Sequence, residues 1–222
     1  MSEHTPPDSL NASSPLGGSV FLNALGAAAQ RLHPEVRRYA AGPGIPGAAV
    51  VVDGVFDVAG SRFRKLNLLA LPIVGRNLFV TAHERDVPFH VVNSLTRSQG
   101  GPLELHADRA FTFTGGAQHF VDVLLPGERE GTLLNRVGSA RRVELELRCS
   151  VTGDGHLRLV SERTWLRFGG LRIRLPALLS VRADVVDGFD DAAQQNTVRA
   201  RVRSPILGTV LEYRGRFTHR PA

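Results

Sequence analysis

The strongest constraint on the fold is a strict two-residue rhythm near the end of the chain. Val198, Ala200 and Val202 alternate with Arg199, Arg201 and Arg203; past Ser204-Pro205 and Gly208, Leu211, Tyr213 and Phe217 alternate with Glu212, Arg214 and Arg216. Successive side chains of a strand point to opposite faces. Apolar–polar alternation on both sides of a Pro/Gly turn therefore predicts an antiparallel hairpin with one buried and one solvated face.

The same rhythm runs back to Ala48. It predicts strands at Ala48–Ala59 (with Asp53-Gly54 as a candidate hairpin turn), Leu78–Glu84, Pro88–Leu95, Leu103–Thr114, Gln118–Leu125 and Leu133–Val137. Further strands are predicted at Val143–Val151, Leu157–Phe168, Leu171–Leu175, Val181–Val186, Val198–Ser204 and Thr209–Thr218, with Gly/Pro turn signals between many of them. Lys65–Val74 is apolar and reads as a short helix or lid. Helix signals are confined to the start. Ser19 can cap a helix striped by Leu22, Leu25, Ala28, Ala29 and Leu32, and Pro34 fits the first turn of a second. Residues 1–18 are rich in Ser, Pro and Asn and read as a disordered tail.

The expectation is a single mainly β (α+β) domain over residues 19–222. It would be an antiparallel half-barrel or barrel of about ten strands with an N-terminal helix against its concave face. A chain of 222 residues is long enough for one such unit.

Gly42-Pro-Gly-Ile-Pro-Gly47 has the spelling of a dinucleotide loop, but it precedes a strand and carries prolines where the helix would begin. No cofactor is expected. The eight histidines lack metal-ligand spacing and Cys149 is the only cysteine, so neither a metal site nor a disulfide is expected. The chain begins without a basic and apolar leader and has no run able to span a bilayer, which predicts a cytoplasmic protein with no transmembrane segment. The net charge is +6, with Lys65 the only lysine. Arginine forks onto carboxylates and phosphates, yet one Trp and two Tyr supply few stacking platforms, so nucleic acid is not expected as a partner.

Three segments carry a resemblance. They are Leu25–Arg37 with its Gly-Ala-Ala-Ala run, Gly153-Asp-Gly-His-Leu-Arg-Leu159 with the later Leu175-Pro176, and Ser204-Pro-Ile-Leu-Gly-Thr-Val-Leu-Glu-Tyr-Arg-Gly215. Together they resemble the domain of unknown function 4166 family, a domain often fused behind saccharopine-dehydrogenase-like reductases. Where that family has an aromatic–x–Arg–x–Phe strand, this chain has Arg109 and Phe111 in register but Ala107 at the aromatic position. The resemblance implies a separate reductase as a candidate partner.

Alternation puts Leu105, Arg109, Phe111 and Phe113 on the apolar face of one strand, and Tyr213 on that of another. An inward guanidinium must be paired. Arg109 is then either an anchor for a carboxylate or phosphate, a partner for an internal acid, or displaced outward by a bulge. The first option makes the protein a binding module for a small hydrophobic or amphipathic anionic ligand held by Leu105, Arg109, Phe111, Phe113 and Tyr213. The alternatives are an isomerase- or hydrolase-like barrel using His83 or His106, and a structural domain supporting a reductase. No catalytic constellation is complete. Cys149 reads as core, the His83-Glu-Arg-Asp86 cluster as a solvated strand end, and Glu144 and Glu146 as a wet sheet face. Arg199, Arg201, Arg203, Arg214 and Arg216 form a candidate partner surface. Trp165–Leu179 mixes apolar residues with arginines and fits either a half-buried hairpin or a membrane-touching one.

Overall fold

The computed structural model describes residues 18–61, 77, 80–97 and 99–222. The tail reading of residues 1–17 and the lid reading of Lys65–Val74 lie outside the described residues.

Ser19 opens the ordered chain as the cap of α1 (Val20–Leu25), its hydroxyl accepting from Leu22 N at 3.1 Å and donating to Ala40 O at 2.6 Å. The single helix expected here is broken. Gly26 adopts φ 54°, and the chain continues as a 3-10 turn over Gly26–Arg31 before α2 (Pro34–Ala40) starts with Pro at its first turn. Leu22, Leu25, Ala29, Leu32, Val36 and Ala40 are buried against the sheet.

Eleven strands follow: β1 (Ala49–Gly60), β2 (His83–Arg97), β3 (Leu103–Phe113), β4 (Gly116–Pro126), β5 (Thr132–Val137) and β6 (Val143–Val151), then β7 (Leu157–Phe168), β8 (Leu171–Arg174), β9 (Arg182–Asp190), β10 (Gln195–Ser204) and β11 (Gly208–Pro221). The order β6-β5-β4-β3-β2-β1-β11-β10-β9-β7 closes on itself through β6–β7, giving a ten-stranded antiparallel barrel with β8 added outside β7. β7 divides its free edge: Leu157–Val160 pairs with β9 and Trp165–Phe168 with β8. Between them Ser161 bridges the gap, its hydroxyl donating to Val181 O at 3.1 Å and accepting from Ala183 N at 2.8 Å. The helices plug one end, where Leu95, Leu103, Leu133 and Leu157 meet α1 and α2.

Two readings of the strands need correction. Asp53-Gly54 is no turn: β1 runs through it, and a Cβ at Gly54 would lie 2.2 Å from Arg216 O and 2.8 Å from Phe217 Cβ. The glycine is there because the neighbouring strand and the Phe217 and Phe89 side chains close over it. Likewise the predicted Leu78–Glu84 and Pro88–Leu95 strands are one strand, β2, beginning at His83 and carried past Pro88 by a positive φ at Asp86. His83–Asp86 thus opens a strand.

A cavity inside the barrel

The inward positions of ten strands enclose a cavity of about 140 Å³. Its lining is mostly Val, Leu, Ala and Phe, with a small polar group set into it: Arg109 of β3, Asp122 of β4, Asn93 of β2, Asn135 of β5, Asp187 of β9, Tyr213 of β11 and Tyr39 of α2. Each strand residue falls in phase with inward apolar neighbours, as Asp187 does with Ala183, Val185 and Phe189.

Arg109 points inward and pairs with Asp122, while its guanidinium lies 5.6 Å from the Phe120 ring centre. Burial disfavours the charge on Arg109, but the fields of Asp122 and of the two tyrosines outweigh it, so the guanidinium stays protonated. Asp187 shares the cavity without such a partner. Among the described residues its carboxylate takes no hydrogen bond, and burial raises its pKa from 3.8 to about 7 despite the opposing pull of Arg109. Asn135 Oδ1 is a second acceptor on this wall, fully buried and without a hydrogen-bond partner. Burial also pushes the Tyr213 hydroxyl up to about 12, and that of Tyr39 higher still, with Asn93 beside it.

Of the five residues read as a ligand site, Leu105, Arg109 and Tyr213 line the cavity. Phe111 and Phe113 do not. They belong to an aromatic stack in which Phe56 lies 3.8 Å from Phe89 and 5.4 Å from Phe111, and Phe111 lies 6.1 Å from Phe113. The polar character also differs from an anion anchor: Arg109 is already neutralised, and the remaining polar groups include two unpartnered acceptors. Sequence reasoning passed over Asp122, Asn135 and Asp187, although the same alternation that turned Arg109 inward applies to them.

A family model for a domain of unknown function, DUF4166, matches residues 32–217. The chain belongs to this family. It is also 30% identical over 163 residues to "Uncharacterized protein YndH" of Bacillus subtilis (strain 168), a match that covers 72% of this chain and 78% of the relative. No solved structure matches. The DUF4166 match takes in α2 and all eleven strands up to Phe217, and with them every polar residue of the cavity.

Outside the DUF4166 barrel, Glu144 and Glu146 are not on a wet face; they are 1% and 2% exposed. Glu144 binds Arg136 Nε at 2.8 Å, Arg167 at 2.7 Å and Arg172 Nε at 2.8 Å, while Glu146 binds Arg129 Nε at 2.7 Å and lies 3.5 Å from Arg163. Burial pushes the Glu144 pKa up, but the three arginines outweigh it and hold the carboxyl below its ordinary value. Arg172 also stacks 4.1 Å from the Trp165 ring centre, roofing the cluster. Cys149 is buried, its thiol pushed up to about 12 by desolvation. His83 pairs with Glu212 at 3.2 Å and His106 with Thr96 at 3.0 Å, and neither lines the cavity. Arg199, Arg201, Arg203, Arg214 and Arg216 are exposed on the outer face of β10 and β11; Arg216 reaches Asp190 at 3.4 Å and Arg201 reaches Glu212 at 3.6 Å. No described helix is long and apolar enough to cross a membrane.

Proposed function

We propose that the DUF4166 barrel binds a small, largely apolar molecule whose head group donates hydrogen bonds, an amine or a hydroxyl. The reading rests on Asp187, a buried carboxylate facing the cavity with no hydrogen-bond donor among the described residues. A buried acceptor without a donor costs roughly 1–3 kcal/mol, and a ligand donor removes that cost. Asn135 Oδ1 offers a second such acceptor. The apolar walls with few placed polar groups have the usual make-up of a ligand site, and about 140 Å³ suits one benzene-sized ring. The amphipathic ligand expected from sequence remains the reading, but the sign of its head group is reversed by the Arg109–Asp122 pair.

Three probes with one ring and different heads test this: benzylamine, benzyl alcohol and benzoate, titrated calorimetrically at pH 8. Benzylamine should bind at least about tenfold tighter than benzoate, since hydrogen bonds to charged groups are worth roughly 1.5–3 kcal/mol. In Asp187→Asn that preference should collapse. Benzoate binding best, or no probe binding at all, would overturn the reading.

The same carboxylate supports a second, enzymic reading, because a base titrating near 7 is matched to proton transfer at neutral pH. Its mark would be solvent deuterium entering a bound carbon acid such as cyclohexanone, with exchange abolished in Asp187→Asn.

A further inference from the structure

The barrel end opposite the helical plug carries an unusual surface. Phe168, Leu171 and Ile173 of the β7–β8 hairpin, Leu178 and Leu179 in the turn after it, and Ile206 and Leu207 in the β10–β11 turn are all exposed. Elsewhere among the described residues only Ile45 and Val55 are exposed large apolar side chains. Single exposed apolar residues are ordinary, but a contiguous group is not. These turns are neighbours, because β7, β9 and β10 adjoin in the barrel and Arg182 at the start of β9 stands in register with Arg203 at the end of β10.

The same arc is cationic. Residues 136–142, 165–183 and 201–211 contain no Asp or Glu. Arg141, Arg174, Arg182 and Arg203 are exposed and make no ion pair among the described residues. Arg182 and Arg203 face each other directly across the ladder, an arrangement that is destabilising unless an anion lies between them. Beside them the β5–β6 turn and the tip of β7–β8 form a cleft of about 240 Å³ lined by Arg136, Arg141, Arg142 and Arg167. The carboxylate that Arg136 and Arg167 share, Glu144, is also held by Arg172. One acid thus balances three guanidiniums at the cleft wall.

We infer that this rim docks on a bilayer of anionic phospholipid, its Leu and Ile turns entering the interface and its arginine cleft taking a headgroup phosphate. Interfacial binding combines buried apolar area with attraction to anionic lipid, and both components occupy the same turns. Protruding tips, rather than a groove, suit a soft interface that closes around them. Arginine matches a phosphate with two parallel hydrogen bonds. The inference does not rest on the ligand reading of the cavity.

Sedimentation of the full chain with vesicles tests it. Vesicles of phosphatidylcholine with one-third phosphatidylglycerol should carry the protein down at low ionic strength, and high salt should release it. Pure phosphatidylcholine vesicles should not. The triple variant Arg141→Gln, Arg174→Gln, Arg182→Gln should lose about a hundredfold in affinity, from about 1 kcal/mol, or fivefold, per basic residue beside an anionic leaflet. Leu178→Ser with Leu179→Ser should lose binding to the same vesicles with the circular dichroism and melting temperature unchanged. The inference is overturned by no sedimentation with anionic vesicles, by equal binding to both compositions, or by a dimer that the leucine variant dissolves while vesicles stay unbound.

Discussion

Burial keeps the Asp187 carboxyl protonated to about pH 7, whereas in the unfolded chain it ionises near 3.8. Between these values the native state binds the extra proton, so folding stability falls as pH rises from about 4 to about 7 and levels off above. Asp187→Asn removes a group that must ionise inside an apolar wall. It should therefore match the parent near pH 4 and exceed it at pH 8 by on the order of 2–4 kcal/mol, because each tenfold change in proton affinity is worth about 1.36 kcal/mol. Urea unfolding at the two pH values measures this, and a variant less stable than the parent at pH 8 would show that the field of Arg109 outweighs desolvation. The neighbouring Arg109 behaves oppositely. Truncating it would strand Asp122 as an uncompensated buried charge, a loss of roughly 3–5 kcal/mol. At this scale alternation was informative about direction and silent about company: Arg109 was legible as inward, but its partner sits on another strand thirteen residues on, and nothing in either strand names the pair.

At the scale of elements, β6 and β7 were legible to the residue because alternation ran between clear glycine turns. β1 was misread because glycine serves two purposes, turning a chain and letting another approach it. Gly54 does the second. Replacing a strand glycine by alanine ordinarily gains stability through lower chain entropy. Gly54→Ala should reverse that sign and cost about 1–3 kcal/mol, because the new methyl meets the Arg216 carbonyl at 2.2 Å. Gly115→Ala, where a Cβ would meet nothing, is the control and should stay within about 0.5 kcal/mol. Equal effects at the two sites, read from urea midpoints, would refute the close-approach account. Glu144 and Glu146 failed for a different reason. Alternation placed them outside correctly, but their burial comes from arginines and a β8 hairpin that fold over the outer face, which a two-residue period does not encode.

For the whole molecule, the strand count was legible and the ring was not. Alternation looks the same in an open sheet and a closed one; closure depends on β1 meeting β11 and β6 meeting β7. β1–β11 joins strands separated by most of the chain, running from Val50↔Pro221 to Gly60↔Glu212. Such non-local pairing costs loop-closure entropy before it returns contacts, and the return is that no long edge is left unpaired. A chain ending at Ser204 tests whether the ring folds as one unit. It would lose Leu211, Tyr213 and Phe217 from the interior, and with Phe217 the edge contact to Tyr39 of the helical plug at 4.9 Å. β1 and β10 would become facing bare edges on a protein already rich in apolar strands. The truncated chain should show no cooperative thermal transition, weak near-ultraviolet dichroism and association into oligomers at micromolar concentration. A monomer that still melts cooperatively would mean that the remaining strands hold together as an open half-barrel, with β11 as a closing strap.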